Sequence, residues 1–445
     1  MTKDLTVGKT SSVLWKFTIP MFVSVVFQQL YNIADSVIAG KFAGEDALAA
    51  VGASYPITMI FMAIAVGSNI GCSVVIAQLF GAKDYRRMKT AVTTTLLTAL
   101  ALSILLTVGG VASTGGMLGL LNTPHNIMAD GALYLKIYIG GFLFLFLYNV
   151  ATGIFTALGD SRTPLYFLIG SSLGNIILDL IFVKEFHWGV AGVAWATFLA
   201  QGVACVLALF TIMKKLKGVG NSEKAEWFSM EMLIRIGCVA VPSILQQSFI
   251  SVGNLLVQGL INSFGSSVIA GYSAAIKLNT FCITCLTTVG NSMSNFTAQN
   301  MGAGLPKRVK SGFRSGIVMS IAVAALFFTG FFFFGKGFLL LFLNESSGEA
   351  LSAGTEFLKI VPPFYFVVAP KLLADGVLRG AAAMKYFMIT TFSDLILRVV
   401  FSFVFAGFWG TTGIWCSWPV GWIIGTILSC AYYVNGKWNY LKETL

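Results

Sequence analysis

Charged residues are scarce in this 445-residue chain, where Lys, Arg, Asp and Glu together make up only 11% of the sequence. An ordinary soluble protein has about 25%. A chain with so little charge and 56% hydrophobic residues cannot cover a surface that faces water. The composition also excludes intrinsic disorder, which requires a low content of hydrophobic residues. We therefore expect an all-α polytopic membrane protein, in which helices satisfy their own backbone groups within lipid.

Histidine and cysteine are also few. His125 and His187 are the only histidines, and both fall in loops or at the ends of apolar stretches. The seven cysteines are scattered through apolar stretches without a neighbouring acid or histidine. These positions predict no metal centre of His and Cys ligands, no disulfide framework and no enzyme active site.

Twelve apolar stretches are long enough to cross a bilayer, which takes about 20 residues per helix. They lie near 13–40, 47–80, 89–112, 131–158, 164–183, 188–213, 233–262, 267–299, 315–342, 354–378, 386–408 and 411–434. Most Lys and Arg residues fall at the two termini and in the even-numbered loops, which predicts cytoplasmic termini in the cell membrane. The net charge of +11 then reflects anchoring at the membrane surface, and we expect no nucleic-acid partner.

The second half of the chain repeats the first. The stretch 77–82 (AQLFGA) recurs 221 residues later as 298–303 (AQNMGA), and the basic patch 86–89 (RRMK) recurs at the same offset as 307–310 (KRVK). Six spans per half is an even number, so both halves enter the membrane from the same side, as a parallel pseudo-twofold repeat. The predicted lobes are 1–213 and 233–445, joined by a cytoplasmic linker at 214–232.

Two six-helix lobes related in this way enclose a central cleft, the geometry of an alternating-access transporter. ATP is not expected to drive it. The stretch 330–336 (GFFFFGK) matches a phosphate loop only in spacing, because Gly337 stands where such a loop has Ser or Thr. An ion gradient therefore remains as the source of energy.

Polar residues at membrane depth concentrate in the N-terminal lobe. Asp35 follows Gln28 and Asn32 on one face of the first span, and Asn175 and Asp179 are one helical turn apart in the fifth. Thr197 lies at a comparable depth in the sixth. Because ionisable residues in a membrane are costly, this group predicts a site for H⁺ or Na⁺. A purely structural set of interhelical hydrogen bonds remains the alternative.

The C-terminal lobe lacks these carboxylates, since the repeat places Val257 and Val400 opposite Asp35 and Asp179. It has Asp394 and Arg398 one turn apart, for which we expect an ion pair. Lys371 is ambiguous, and we expect Asp375 to pair with Arg379 or with a cation of a loop. The residues expected to line a substrate cleft are Gln28, Asn32, Tyr134, Tyr138, Asn149, Gln247 and Asn254.

Several motifs resemble those of the multidrug and toxic compound extrusion (MATE) family. They are Ile19-Pro20 and 35–37 (DSV) in the first span, Gln78 with Gly81, and 158–164 (LGDSRTP) with its counterpart 377–380 (VLRG). The resemblance spans the whole chain. It implies an antiporter that exports amphipathic or cationic compounds in exchange for H⁺ or Na⁺, without a further cofactor.

The resemblance also implies roles for individual residues. The N-lobe cation site of some branches carries over onto Asp35, Asn175, Asp179 and Thr197, and the hinge proline of the first helix carries over onto Pro20. A departure is that the seventh span has Gln246 and Gln247 where some branches have Glu. We expect a monomer that works on small molecules. A lipid-linked oligosaccharide flippase of the same superfamily is the alternative function.

Overall fold

The computed structural model describes residues 4–38, 45–121, 125–220, 225–343 and 348–439. For residues 33–38, 45–50, 125 and 126 only the backbone is described. No β-strand occurs within these ranges, which confirms the predicted all-α class. The first-half helices are α1 (Thr10–Ile38), α2 (Glu45–Gly81), α3 (Tyr85–Leu120), α4 (His125–Gly140), α5 (Phe142–Ala157), α6 (Arg162–Asp179) and α7 (Gly189–Lys217). The second-half helices are α8 (Met230–Asn262), α9 (Ser266–Gly302), α10 (Pro306–Phe328), α11 (Phe334–Leu339), α12 (Gly348–Ile360), α13 (Tyr365–Gly380) and α14 (Met384–Val434).

The predicted twelve spans agree with these helices. Ten stretches of the described residues are long and apolar enough to cross a membrane, and α4 with α5, bent by 45°, forms an eleventh. The backbone of Gly410 (φ 59°, ψ −135°) interrupts α14 and divides it into two helices, where the sequence predicts separate spans ending at 408 and beginning at 411. Several spans are composite, as with α10 and α11 or α12 and α13.

A glycine turn occurs at matching places in the two halves. Gly189 and Gly410, 221 residues apart, both have positive φ, at 52° and 59°. Residues that have a side chain rarely adopt a positive φ, so glycine is favoured at both positions. Three residues later, a Cβ on Gly413 would lie 2.2 Å from the Phe405 carbonyl oxygen, and one on Gly192 would lie 3.0 Å from Val183. The repeated GxxG pattern therefore makes a tight reversal in each half.

Contacts group the chain into two compact units. The first comprises Met1–Asp4 and Val23–Ser248, and the second comprises Leu5–Phe22 and Phe249–Leu445. The first part of α1 thus belongs with the second half of the chain, and the first part of α8 belongs with the first half. The lobe boundaries at 213 and 233 stay a prediction. The two units differ from the predicted lobes because the first parts of α1 and α8 are exchanged between them.

Small residues explain why the first part of α8 packs within the first unit. A Cβ on Gly67 would lie 2.5 Å from the Ile244 backbone nitrogen, and one on Gly71 would lie 2.4 Å from the Cβ of Ala240. Such close approach of two backbones is the usual role of glycine in membrane helices. In addition, Arg235 donates a hydrogen bond of 3.0 Å to Gln78.

The second unit secures the N-terminal segment through the repeated copy of the same motif. The Leu5 amide donates to Gln299 Oε1 at 2.8 Å, and Arg308 donates to the carbonyl oxygens of Gly8 at 2.9 Å and Leu5 at 3.3 Å. Gln78 and Gln299 are repeat counterparts. Gln299 therefore contacts the residues that precede α1, and Gln78 contacts the first part of α8.

Candidate functional site

Asn175 and Asp179 lie on one face of α6 and are almost completely buried, at 2% and 1% exposure. The α-helix ends at Asp179 and continues as a π-helical turn, Leu180–Glu185. Short π-helical segments often occur at functional sites because they change the direction of side chains. The structure therefore places a buried carboxyl and a buried amide one turn apart, as the sequence spacing predicts.

Asn175 joins three helices of the first unit. Its Oδ1 accepts a hydrogen bond of 2.5 Å from the Tyr31 hydroxyl of α1, and its Nδ2 contacts Thr197 Oγ1 of α7 at 3.5 Å. Thr197 donates its hydroxyl to the Val193 carbonyl oxygen at 3.1 Å. The structure thus brings Asn175 and Thr197 together. The Asp35 side chain lies outside the described residues, so its predicted role stays a prediction.

Tyr31 is a site residue that was not predicted from the sequence. The available signal was its spacing, because Tyr31 precedes Asp35 by one helical turn in α1 and so shares its helix face. The side-chain groups at this site are a carboxylate, an amide and hydroxyls. Oxygen donors of this kind suit a proton or a hard cation such as Na⁺.

The predicted cleft residues of the first unit occupy different surroundings. Gln28 and Asn32 are exposed on α1, and Gln247 is half-buried on α8. Tyr134 and Tyr138 stack with ring centroids 6.0 Å apart. These positions are compatible with contact to a substrate, and their role stays a prediction.

Asn149 instead ties helices together. Its Nδ2 donates to the Leu145 carbonyl oxygen of its own helix at 2.9 Å, and its carbonyl oxygen accepts from Asn69 of α2 at 2.8 Å. Asn69 also donates to Thr152 at 2.9 Å. These bonds give Asn149 a structural role in addition to the predicted one.

Pro20 lies inside α1, which continues as a helix on both sides of it. The chain passes from the second unit to the first between Phe22 and Val23, within one turn of this proline. Proline removes one backbone hydrogen bond of a helix and weakens it locally. The position of Pro20 is therefore suited to the predicted hinge.

Buried charges form a network in the second unit that the sequence analysis left ambiguous. Lys371 Nζ lies 2.9 Å from Asp375 Oδ2 and 3.2 Å from Asp394 Oδ2. Thr390 and Ser429 donate their hydroxyls to Asp375 Oδ1 at 3.0 and 2.7 Å. Lys371 therefore joins α13 to α14 through Asp394, and Asp375 of α13 is joined to α14 through Thr390 and Ser429.

The expected ion pair of Asp394 with Arg398 is wrong, because within the described residues Asp394 pairs with Lys371 and Arg398 has other partners. Arg398 Nη2 donates to Asn254 Oδ1 at 3.2 Å, and its guanidinium lies 4.3 Å from the ring centroid of Trp418. Helical spacing puts Asp394 and Arg398 on one face, but residues of neighbouring helices compete for both groups.

The expectation for Asp375 is corrected in the same way. Lys371, one turn earlier on α13, is its salt-bridge partner. Arg379 donates to Asn291 Oδ1 at 2.5 Å instead. Asn254, the predicted cleft residue of the second unit, is exposed on α8 and accepts from Arg398.

Asp160 in the 158–164 motif organises the turn between α5 and α6. Its carboxylate accepts the amides of Arg162 and Thr163 at 3.1 Å each and the Thr163 hydroxyl at 2.6 Å, and it forms an ion pair with Lys215 of α7. Burial acts to raise the pKa of Asp160, but the hydrogen bonds from Lys215 and Thr163 outweigh it and lower the pKa below its usual value of 3.8. The motif therefore fastens three helices at one end of the first unit.

The chain matches the MatE family model over residues 20–181 and 242–404, one match in each half. It is 28% identical to the probable multidrug resistance protein YpnP of Bacillus subtilis, covering 99% of this chain and 98% of that protein. It is 27% identical to the probable multidrug resistance protein YoeA of the same organism, over 96% and 95% of the two chains. A crystal structure of MATE in complex with MaL6 is similar in fold, with a TM-score of 0.92, 22% identity and complete coverage of both chains. The chain therefore belongs to the multidrug and toxic compound extrusion (MATE) family of membrane transporters.

Proposed function

We propose that the protein is a secondary active multidrug efflux antiporter that exports amphipathic or cationic compounds in exchange for H⁺ or Na⁺ by alternating access. The names of the curated relatives, which include multidrug resistance proteins, support the export of drugs. The observation that supports coupling of export to an ion is the buried pair of Asn175 and Asp179, of which Asn175 contacts Tyr31 of α1.

The chemistry of this site favours a monovalent cation. A carboxylate at membrane depth costs about 2.5–3.5 kcal/mol on insertion scales, so its neutralisation by H⁺ or Na⁺ is favourable. Asn175 and Thr197 supply neutral oxygen atoms near Asp179, and Asp35 supplies a second carboxyl in this proposal. Binding of the ion would change the charge of the site by one unit.

Tyr31 provides a route by which that change reaches α1. The helix is connected to the site at Tyr31 and contains Pro20 about three turns earlier, close to the point where the chain passes between units. In our proposal, neutralisation of the site shifts the part of α1 after Pro20 and weakens drug binding. Loss of the ion then resets the site for the next cycle.

The exchange of one ion for one monovalent cationic drug moves no net charge. The membrane potential, worth about 2.3 kcal/mol per charge and 100 mV, would then contribute nothing to such a cycle. The gradient of the ion itself must drive export. We further propose that the transporter is a monomer in the cell membrane with both termini cytoplasmic, as the distribution of Lys and Arg suggests.

The proposal is tested with purified protein in liposomes loaded with a cationic dye. A pH gradient and a Na⁺ gradient are imposed separately at zero membrane potential, and dye movement is followed by fluorescence. We expect one of the two gradients to drive export in the wild type and neither to do so in Asp179→Asn. Glu185→Gln is the control, since it removes an exposed carboxylate six residues further along. Dye movement that needs neither gradient would contradict ion coupling.

A further inference from the structure

The guanidinium edge of Arg398 that is formed by Nε and Nη2 has only one hydrogen-bond acceptor among the described residues. The Nε–H and one Nη2–H of an arginine point in the same direction and can bind two oxygens at once. Here Nη2 donates to Asn254 Oδ1, whereas Nε has no acceptor among the described residues. Because Arg398 is only 6% exposed, water does not freely replace the missing acceptor.

The charges around Arg398 do not balance. The buried charged residues of α13 and α14 in the second unit are three cations and two carboxylates: Lys371, Arg379, Arg398, Asp375 and Asp394. Lys371 contacts both carboxylates within 3.2 Å, and no salt bridge to Arg398 occurs in the described part of the chain. Arg398 is left with a neutral amide and an aromatic face. The charge of Asp394, one turn away, acts on Arg398, but the two groups form no ion pair. A buried cation without a counter-ion in direct contact is costly, so an anion that reaches it would be stabilised.

Asp394 does not fill this place, although it lies one turn away on the same helix. Its Oδ2 is bound by Lys371, and its Oδ1 faces Gly421, where an added Cβ would lie 2.9 Å from that oxygen. The second part of α14 therefore packs against this carboxylate. Arg398 Nε is therefore buried without an acceptor among the described residues.

The exposed side chain that contacts this edge is that of Asn254, and a ligand has to displace it to reach Nε, which is itself buried. Asn254 lies at the surface of the second unit on α8. A Cβ on the adjacent Gly253 would lie 3.7 Å from Arg398 Nη2, so the guanidinium lies close beneath the α8 backbone at this point. Trp418 covers the guanidinium face at 4.3 Å and fixes its plane. The Asn254 side chain thus contacts the edge of the guanidinium, and Trp418 holds its plane.

We propose that Arg398, with Asn254 and Trp418, forms a binding site for the carboxylate of a transported compound. A carboxylate supplies two coplanar oxygens for Nε and Nη2 together with the missing negative charge, which the single amide oxygen of Asn254 does not. This inference rests on the proposed function and specifies its substrates further. Amphipathic compounds that carry a carboxylate bind more tightly than their esters.

The test uses the free acid and the methyl ester of one rhodamine dye, which differ only in the carboxylate. Binding to purified full-length protein is measured by fluorescence polarisation in a chloride-free buffer. Asn254→Asp places a carboxylate of the protein next to Arg398 and competes with the ligand. Asn262→Asp is the matched control, the same change two turns later on α8, where Asn262 is exposed and accepts from Gln258 at 2.9 Å.

We expect the wild type to bind the acid about tenfold more tightly than the ester, as for a charge-assisted bidentate contact. Asn254→Asp removes this preference by weakening the acid alone, and Asn262→Asp retains it. Arg398→Lys keeps the positive charge but loses the two parallel N–H groups of the guanidinium, so it also removes the preference for the acid. If substitution of the buried Arg398 prevents folding, Asn254→Asp still tests the inference, because Asn254 is exposed.

Equal affinity for acid and ester in the wild type overturns the inference, as does an unchanged preference in Asn254→Asp. An inorganic anion is the other possible occupant. If chloride raises the unfolding temperature of the wild type but not of Asn254→Asp, while acid and ester bind equally, the site binds chloride and the inference fails. Export is measured separately in liposomes. Failure to export either dye contradicts the proposed antiporter, whereas the difference in binding still decides the role of Arg398.

Discussion

The Tyr31 hydroxyl of α1 donates a hydrogen bond of 2.5 Å to Asn175 Oδ1 of α6. The Asn175 Nδ2 contacts Thr197 Oγ1 of α7, so the Asn175 side chain connects three helices of the first unit. The bond from Tyr31 links Asn175, a proposed ion-binding residue of α6, to the helix that contains Pro20.

Tyr31→Phe should weaken coupling without preventing folding. The change removes one hydrogen bond, worth about 0.5–1.5 kcal/mol net, and leaves the ring in place. We expect correct insertion but slower gradient-driven export of dye from liposomes. Tyr166→Phe, at an exposed position of α6, serves as the control and should export normally. Equal rates in the two variants would show that the Tyr31 bond has no part in coupling.

Pro20→Ala should lower transport while the protein still inserts. Alanine restores the missing backbone hydrogen bond and stiffens α1 close to the point where it passes between the units. Expression and monodispersity are checked by size-exclusion chromatography, and export is measured in liposomes. Pro56→Ala, another proline inside a helix, controls for the general effect of losing a proline. Export by Pro20→Ala at the wild-type rate would exclude a hinge at this residue.

Gly71→Ala should destabilise the first unit. An added Cβ would lie 2.4 Å from the Cβ of Ala240, so α2 and α8 would have to move apart. Gly109 of α3 has open space around its Cβ position and provides the matched control. We expect a lower unfolding temperature in detergent for Gly71→Ala, and an unchanged or slightly higher one for Gly109→Ala. Equal unfolding temperatures would argue against the close packing of α8 on α2.

Asp160→Asn should destabilise the protein at neutral pH, because Lys215 loses its charged partner. Hydrogen bonds to charged groups contribute about 1.5–3 kcal/mol each. The pKa of Asp160 is lowered in the folded state, so its contribution is present above the usual pKa of 3.8 and is lost as the pH falls through the lower folded value. Thermal unfolding is compared at pH 7 and at successively lower pH. The difference between wild type and variant should shrink at acid pH, and a constant difference would contradict this role.

The spacing of residues within a helix was the part of the site that could be predicted from the sequence. Asn175 and Asp179 share a buried face of α6, as their separation of four residues indicates. The twelve spans could also be predicted, since lipid imposes the length of every crossing. The turn at Gly410 follows from a glycine in a repeated motif.

Contacts between helices could not be predicted in the same way. Lys371 reaches Asp394 from a different helix, and Arg398 is drawn to Asn254 and Trp418. These partners depend on the rotation and register of α8, α13 and α14, which hydrophobic periodicity does not determine in lipid. The exchange of helix parts between the two units has the same origin, because it depends on close contacts such as that of Gly71 with Ala240.

The central claim is that binding of an ion at Asp179 drives export, and the comparison of Asp179→Asn with Glu185→Gln in liposomes tests it most directly. Both variants lose one carboxylate, but only Asp179 is buried beside Asn175. We predict that gradient-driven dye export is lost in Asp179→Asn and retained in Glu185→Gln. Export by Asp179→Asn at the wild-type rate, with the wild-type dependence on the gradient, would contradict it.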